Sequence, residues 1–381
     1  MEAPATSPGS LTRLCVKCRS QEATLESRTQ PVCKDCFLKF ISSKCIKHLG
    51  ALGRLTRPPP PSLTRHYTLA LSLGPSSTAL LHLLHTNLTY SLTKNRAPPF
   101  HLQVVHITND STTPLPPADP LTPLRPLYPS FTFLLLPLST SLSLPTIDFS
   151  ALPPSGPTSS PPALRLRTLL AGLPSAASRA DVLRLLTRHL LLHAAREARS
   201  QALLFGHSTT ALAELTLSEA AKGRGFGVPW VVSDGAEPEG GVVVSHPLRE
   251  VLRGEVVRYG GLVEPKLLVL EEEVEAKGGA VVSHRDLSID EVMRRYFGEV
   301  EERYPAVVAN VARTTGKLVR MLGGGGEGGR CGVCGTPLDG EGDERWRGEL
   351  GVEGGGGTGE EAEGGGGGAR LCYGCERSTR G

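Results

Sequence analysis

The middle of the 381-residue chain alternates between short apolar runs and longer stretches in which apolar residues recur every three or four positions. A continuous apolar run of about four to eight residues is typical of a strand that is buried on both faces. The longer stretches predict helices, so the pattern indicates an α/β fold with a parallel sheet and helices on both faces. The predicted strands are YTLALSL from Tyr67, HLQVVHIT at 101–108, FTFLLLPL at 131–138, ALLFG at 202–206 and GVVVSHPL from Gly241.

The longest helical patterns carry signals at their ends. Ser76 or Ser77 is a suitable N-cap for the helix after the first strand. A second helix is predicted from Ser178, with Asp181 completing a capping box. Its polar stripe is either a solvated helix face or an RNA-facing one, and it consists of Arg184, Arg188 and Arg196.

Composition divides the chain into a cysteine-rich module at 1–56, a proline linker at 57–64, an α/β domain at 65–322 and a second cysteine-rich module at 323–381. Proline and serine interrupt the α/β domain at about 109–177, which predicts partly disordered surface insertions. A tract of glycine and glutamate lies inside the last module and is too polar to fold alone.

Charge and hydropathy exclude some classes of protein. The net charge is only +3, so any nucleic-acid surface must be a local basic patch. The most apolar stretch is broken by Pro137 and is too short to span a bilayer, and the N-terminus does not resemble a signal peptide. We therefore expect a cytoplasmic protein without membrane contact.

Eight of the nine cysteines form four Cys-x-x-Cys pairs near the chain ends. Two such pairs supply the four thiolates of a tetrahedral zinc site, which leaves no open position for catalysis. This pattern predicts two structural zinc sites, against the alternative of free thiols or a redox pair, and Cys45 is either a buried helix residue or a ligand. The predicted ligands are Cys15, Cys18, Cys33 and Cys36 in the first site and Cys331, Cys334, Cys372 and Cys375 in the second.

A glycine turn follows the first strand, where many α/β proteins bind a nucleotide phosphate. The turn reads Ser72-Leu73-Gly74-Pro75-Ser76-Ser77. A phosphate cradle needs inward backbone N–H groups, whereas Pro75 has none and Leu73 adds a side chain where close approach is required. The sequence therefore predicts a weakened cradle.

These residues belong to a wider pattern. The turn resembles the Ser-Gly-Gly-x-Asp-Ser loop of the ATP-pyrophosphatase (PP-loop) superfamily, although Leu73 and Ser76 replace a glycine and the aspartate. GHSTTALAEL at 206–215 resembles a second motif of the tRNA-thiolating branch, with Thr210 and Ala211 where two aspartates are expected. HPLREVLRGEV from His246, KGRGFGVPW and the terminal cysteine pairs complete the set. In this order the motifs resemble the cytoplasmic tRNA 2-thiolation protein 2 family.

The resemblance implies a Rossmann-like, adenine nucleotide alpha hydrolase-like fold and a role as heterodimer partner of a catalytic tRNA thiolase. That complex would 2-thiolate wobble uridine 34 (5-methoxycarbonylmethyl-2-thiouridine) in the tRNAs for Lys, Glu and Gln. Sulfur would come from a thiocarboxylated ubiquitin-like carrier, whose conjugation to proteins (urmylation) is also linked to the family.

Catalytic relatives hold an iron–sulfur cluster on three mid-chain cysteines, but this chain has no cysteine between residues 46 and 330. The loop aspartate and two acids of the second motif are also missing, so we expect no iron–sulfur cluster, doubtful ATP binding and no autonomous catalysis. The remnants of the nucleotide site are Ser72, Gly74, Ser77 and His207. His207 is either a relic of nucleotide contact or a helix-start histidine packed at the sheet edge.

Two other functions stay open, an active ATP-dependent tRNA sulfurtransferase with a divergent loop and a zinc-ribbon adaptor unrelated to tRNA. Basic residues near the motifs would contact RNA phosphates in a salt-sensitive way, or are ordinary surface charge. They are Lys34, Lys39, Lys44, Lys47, Lys222 and Arg224.

Overall fold

The structure is a computed structural model that describes residues 13–56, 64–111, 119–237, 241–267, 287–320, 329–338 and 370–380. The predicted proline linker, except for residue 64, and the glycine–glutamate tract lie outside the described residues. Within the described part of the chain, none of the helices has the length and apolar character that crossing a membrane requires.

Six strands form one sheet, and five of them run parallel. Their order across the sheet is β5-β4-β3-β6-β8-β7, with β7 antiparallel at the edge. A separate hairpin of two short strands precedes the sheet in the chain. The strands are β1 Leu25–Ser27, β2 Gln30–Val32, β3 Arg65–Ala70, β4 Phe100–Thr108, β5 Thr132–Pro137, β6 Ala202–Phe205, β7 Gly235–Ala236 and β8 Val243–Ser245.

Ten α-helices surround this sheet or extend the terminal modules in the described residues. They are α1 Lys34–Leu55, α2 Pro75–Thr93, α3 Pro162–Ala171, α4 Ala176–Glu197, α5 Thr209–Ala221, α6 Val228–Val232, α7 Arg253–Leu262, α8 Ile289–Arg303, α9 Pro305–Thr315 and α10 Tyr373–Arg380. Alternate residues of β3 pack on opposite faces: Leu69 joins the core under α2 and α7, while Ala70 joins the core under α4. The predicted parallel sheet with helices on both faces is thereby confirmed.

The strand order reverses at β3, because the chain moves to β4 and β5 on one side and to β6 and β8 on the other. In open α/β sheets, ligands bind in the crevice at the carboxyl ends of the strands next to such a switch point. The turn at 72–77 follows β3 and the segment at 206–208 follows β6. Both motifs therefore lie at the switch point.

The prediction of partly disordered surface insertions is wrong for residues 119–177. This segment contains two 3₁₀ helices and α3, and it contributes Leu138, Leu166 and Leu169 to a core that also holds Cys331 and Cys375. Its prolines lie at positions that tolerate them, such as the first turn of α3, so a proline-rich composition does not prevent packing.

Two predicted helix caps are also wrong. Gly74 is the N-cap of α2 and Pro75 opens its first turn, so the helix begins before Ser76. Ser175 caps α4 by accepting a hydrogen bond from the Ser178 amide. Asp181, expected in a capping box, is instead buried in a cluster of ion pairs.

Candidate functional site

Hydrogen bonds within the turn after β3 occupy its own polar groups. The Gly74 amide donates to Ser72 Oγ at 3.3 Å, the Ser72 and Ser77 hydroxyls are 3.1 Å apart, and Ser77 Oγ donates to the Gly74 carbonyl at 3.1 Å. Leu73 adopts a φ of +69° and buries its side chain in the core. The Gly74 amide and the hydroxyls of Ser72 and Ser77 thus bind within the turn itself.

The turn after β6 packs directly against this loop. A Cβ on Gly206 would lie 2.7 Å from Ser77 Cα and 2.8 Å from Ser77 N, so only glycine fits. The structure thereby brings Ser72, Gly74 and Ser77 to the same edge as His207, as the two motifs predict.

His207 lies at the end of β6, just before Ser208 caps α5. Its ring stacks on Phe205 and on His246, with both centroid distances at 5.2 Å. Burial lowers the pKa of His207 well below its usual value, and the neighbouring His246, Arg188 and Arg184 act in the same direction. The imidazole is therefore neutral at physiological pH and is packed as a helix-start residue.

His246 is fully buried beside a carboxylate that sequence reasoning did not single out. Its Nδ1 lies 3.1 Å from Asp234 Oδ1, and Arg249 also contacts this carboxylate at 3.0 Å. Burial on its own would raise the pKa of Asp234, but the hydrogen bond with His246 and the charge of Arg249 lower it to about 2. The pair fixes the start of the HPLR segment at the carboxyl edge of β8.

Thr210 takes part in a hydrogen-bond arrangement that an aspartate would disrupt. Its hydroxyl contacts Glu301, and it accepts a hydrogen bond from the Arg253 amide at 3.0 Å. Glu301 also accepts from the Gly254 amide at 2.7 Å and so stabilises the start of α7. An aspartate at position 210 would place a second carboxylate beside Glu301. Like charges this close repel, so an aspartate there would disrupt the arrangement.

The first cysteine cluster is held by a knuckle and a helix start. Cys33 is the N-cap of α1, which places Cys36 in its first turn, and the Lys17 amide points to Cys15 Sγ at 3.4 Å. All four Sγ atoms, those of Cys15, Cys18, Cys33 and Cys36, lie within 4.8 Å of one another. Hydrogen bonds from Ser20 lower the pKa of Cys18 to about 6, whereas the hydrogen bond with Cys33 raises the pKa of Cys36 to about 12.

The second cluster has the same character. Gly335, with a φ of +72°, closes one knuckle, and its amide donates to the Cys331 carbonyl at 2.9 Å. The Cys334 and Cys372 sulfurs are 3.8 Å apart. The four Sγ atoms of Cys331, Cys334, Cys372 and Cys375 again lie within 4.8 Å of one another, so either cluster could hold one metal ion.

Cys45 takes no part in either cluster. It is fully buried in α1, and burial raises the pKa of its thiol to about 12. The interpretation as a buried helix residue is confirmed.

The predicted basic residues fall into three groups. Lys34 and Lys39 are exposed on α1. Lys44 and Lys47 lie against Glu250 of the HPLRE segment, at N–O distances of 2.5 and 3.2 Å, and Arg28 nearby pairs with Glu255 at 2.9 Å. These ion pairs attach the first cysteine module to the segment that leads into α7.

Lys222 and Arg224 form the third group, and both are paired with carboxylates and not open to a phosphate. Arg224 is 4% exposed and forms two contacts with Asp181, one of them at 3.1 Å. Lys222 Nζ lies 3.0 Å from Asp181 and 2.7 Å from Asp290. Burial alone would raise the pKa of Asp181, but Arg224 and Lys222 hold it well below its usual range.

Two of the three arginines in the α4 stripe, Arg184 and Arg188, likewise form neither a solvated nor an open RNA-facing surface. Arg184 pairs with Glu219 at 2.6 Å, and Arg188 pairs with Glu237 at 2.8 Å. These pairs, like the one between Arg224 and Asp181, join residues far apart in sequence. Periodicity shows only that the cations share a face, so it did not reveal the acids that cover them.

Comparison with known proteins gives consistent results. A family model described as cytoplasmic tRNA 2-thiolation protein 2 matches residues 288–377. The proteins of that name from Phaeosphaeria nodorum and Pyrenophora tritici-repentis are 36% and 35% identical to this chain. These matches cover 98% and 96% of the chain and 96% and 94% of the relatives.

A solved structure shares the fold. The U34-tRNA thiolase NcsA from Methanococcus maripaludis, determined with its [4Fe-4S] cluster, matches with a TM-score of 0.54 at 16% identity. The match covers 86% of this chain and 93% of NcsA. By sequence identity over nearly its whole length, the chain belongs to the cytoplasmic tRNA 2-thiolation protein 2 family.

Proposed function

We propose that this chain is the non-catalytic subunit of a cytoplasmic complex that places sulfur on C2 of wobble uridine 34 in the tRNAs for Lys, Glu and Gln. The observation that carries the proposal is the closed turn after β3, in which Ser72, Gly74 and Ser77 bind one another. We infer the reaction from the family to which the chain belongs. We infer from this turn that another chain catalyses it.

The chemistry of thiolation supports this assignment. Oxide is a poor leaving group, so the uridine oxygen must be activated by ATP before sulfur replaces it. Pro75 provides no N–H to a phosphate, and Ser76 and Thr210 provide no carboxylate for a magnesium ion at the positions where the PP-loop motifs have acids. The residues present therefore do not fit a bound ATP.

The partners that we propose are those that the family resemblance implies. A catalytic thiolase subunit would form a heterodimer with this chain, tRNA would bind across the pair, and a thiocarboxylated ubiquitin-like protein would deliver sulfur. A part in conjugating that carrier to proteins belongs to the same proposal. The division into modules at 1–56 and 323–381 around an α/β domain at 65–322 is proposed as well.

Zinc is the metal that we propose for both cysteine clusters. Four thiolates about 2.3 Å from one zinc ion lie about 3.8 Å from each other, which is the Cys334–Cys372 separation. The thiolates of a four-iron cluster each bind a different iron, which requires a wider spacing. Metal analysis of the purified chain should give two zinc ions per chain and no visible iron–sulfur absorption, whereas iron with such absorption would contradict the assignment.

Reconstitution tests the function as a whole. The chain is co-expressed with a catalytic thiolase subunit of the same organism, and tRNA binding and thiolation are measured for each subunit and for the pair. We expect thiolation only by the pair, with activity retained in Ser77→Ala of this chain. Thiolation or tight ATP binding by this chain alone would instead support an ATP-dependent sulfurtransferase with a divergent loop.

A further inference from the structure

A cavity of about 590 Å³ opens where the C-terminal cysteine module meets the α/β domain. Its walls come from the start of α4, the turn after α5, the start of α8 and the segments around Thr336 and Tyr373. Pockets for small ligands typically measure about 300–1,000 Å³. The size is therefore that of a ligand site, and the proposed function above does not use it.

Two aromatic side chains line the cavity, and one of them packs on the backbone. Phe226 lies in the turn after α5 and is 39% exposed, and Tyr373 lies at the start of α10. A Cβ at Gly223 would lie 2.3 Å from Tyr373 Cδ1, so the backbone of this turn supports the tyrosine ring directly. Ala177, Ile289 and other apolar side chains line much of the remaining wall. Such a surface suits a flat ring.

The charged side chains inside the cavity are paired with one another, and an exposed cation lies at one side of it. The ammonium group of Lys222 lies between Asp181 and Asp290, and Arg224 also pairs with Asp181, so two cations and two carboxylates balance one another. Arg377 also lines the cavity and is exposed on α10. A ligand that fits this cavity would have a flat ring with polar edges, and it would carry a negative group on the side that faces Arg377.

We propose that this cavity binds one unstacked nucleotide of an RNA, with its base against Phe226 and Tyr373 and its phosphate toward Arg377. Single-stranded RNA is recognised in this way, by bases that stack on aromatic side chains and phosphates that meet arginine. A peptide segment is the competing occupant, but an uncharged peptide would offer no partner to the guanidinium of Arg377. The inference rests on the proposed function, because tRNA is the RNA it assumes.

The test compares looped and fully paired RNA. The full-length chain and its Phe226→Ala variant are titrated with a tRNA anticodon stem–loop and with a duplex of equal length. Loss of base stacking should weaken binding of the stem–loop by about 5- to 100-fold, while binding of the duplex stays the same. Phe226→Trp should retain the affinity, and Tyr90→Ala, which removes an exposed aromatic ring from α2, serves as the matched control.

A second measurement needs no variant. The stem–loop carrying 4-thiouridine in its loop is irradiated with the wild-type chain, and we expect cross-links to peptides that contain Phe226 or Tyr373. Unchanged stem–loop affinity in Phe226→Ala, or cross-links only elsewhere, overturns the proposal.

Two further outcomes separate the hypotheses. If Phe226→Ala binds RNA normally but no longer binds the catalytic subunit, the cavity holds a protein segment, and the nucleotide proposal is wrong. If the wild-type chain and its complex bind no tRNA at all, the proposed function fails first and takes this inference with it.

Discussion

Leu73 holds a backbone conformation that glycine adopts freely and leucine does not. Its φ of +69° costs a non-glycine residue about 1–2 kcal/mol. The side chain is 4% exposed, and burying a leucine typically contributes about 1.5–3 kcal/mol. Burial offsets the strain, which explains how the turn accepts leucine at a position that glycine would occupy without strain.

Gly223 gives a prediction at the same scale. It has a φ of +80°, and a Cβ there would overlap the Tyr373 ring. Gly223→Ala should therefore lower the free energy of unfolding by about 1–3 kcal/mol and speed the release of the zinc ion proposed for the C-terminal cluster. Urea denaturation and a colorimetric zinc chelator measure the two effects.

Gly225 is the matched control for that change. No atom lies within 4 Å of a Cβ built on this residue, although it is only two positions away. Gly225→Ala should leave both readouts near wild type. Equal effects of the two alanines would show that the turn, and not the contact with Tyr373, sets the stability.

His207 gives a pH prediction. Burial holds its pKa well below 6.5 in the folded chain, so the unfolded chain binds a proton near pH 6.5 that the folded chain does not. The free energy of unfolding should fall as pH drops below about 6.5, by up to about 1.4 kcal/mol per pH unit for this one group. The buried His246, whose pKa is also lowered, adds to the same slope.

Replacing His207 isolates its contribution to the pH dependence of the free energy of unfolding. His207→Asn should reduce the slope of unfolding free energy against pH between about 6.5 and 5.5, whatever it does to stability at pH 7.5. Chemical denaturation at a series of pH values measures that slope. An unchanged slope would mean that the folded chain protonates this imidazole as readily as the unfolded chain does.

At the scale of elements, the sequence predicts strands better than helix ends. Every predicted strand, such as 101–108 and 131–138, has its counterpart because a parallel sheet buried on both faces requires a continuous apolar run. The start of α4 was wrong because both Ser175 and Ser178 are good caps, and only the packed structure selects Ser175. The folding of residues 119–177 was missed because composition does not show which leucines find a common core.

Ion pairs between residues far apart in the chain cannot be predicted from local sequence patterns. Arg28 and Glu255 are more than 200 positions apart, and nothing local in either segment specifies the other. Arg28 sits in the β1–β2 turn with a φ of +50°, and its guanidinium also donates to the Glu250 carbonyl at 2.7 Å. One side chain thus attaches the hairpin of the first cysteine module to the start of α7.

Removing that side chain should loosen the module. Glu255 is buried and would lose its cationic partner, so Arg28→Ala should destabilise the chain by about 1.5–3 kcal/mol. Limited proteolysis should then cut between the first module and the α/β domain sooner than in wild type. Lys39→Ala, a change at an exposed position of α1, is the control, and identical digestion of both variants would contradict the assigned role of Arg28.

For the whole molecule, both cysteine modules are anchored by the charges that the sequence offered as RNA ligands. In the first module, Lys44 and Lys47 pair with Glu250. Lys222 and Arg224 pair with Asp181 inside the α/β domain, and Arg224 also donates to the Gly374 carbonyl and to Ser378 Oγ of the C-terminal module. A cation that stays paired with a carboxylate neutralises no phosphate, and it therefore releases no counterion from the RNA. Among the six predicted residues, Lys34 and Lys39 are therefore the ones expected to contribute to a salt-dependent affinity.

The salt dependence of tRNA binding separates these groups. If Lys34 and Lys39 each contact a phosphate, replacing either by alanine should flatten the slope of log affinity against log salt by about one. Lys44→Ala should leave the slope unchanged, because its charge is already balanced by Glu250. Filter-binding titrations from about 50 to 200 mM salt cover the range in which such slopes are large. A flatter slope for Lys44→Ala alone would mean that tRNA displaces Glu250, and that the first module moves on the α/β domain when RNA binds.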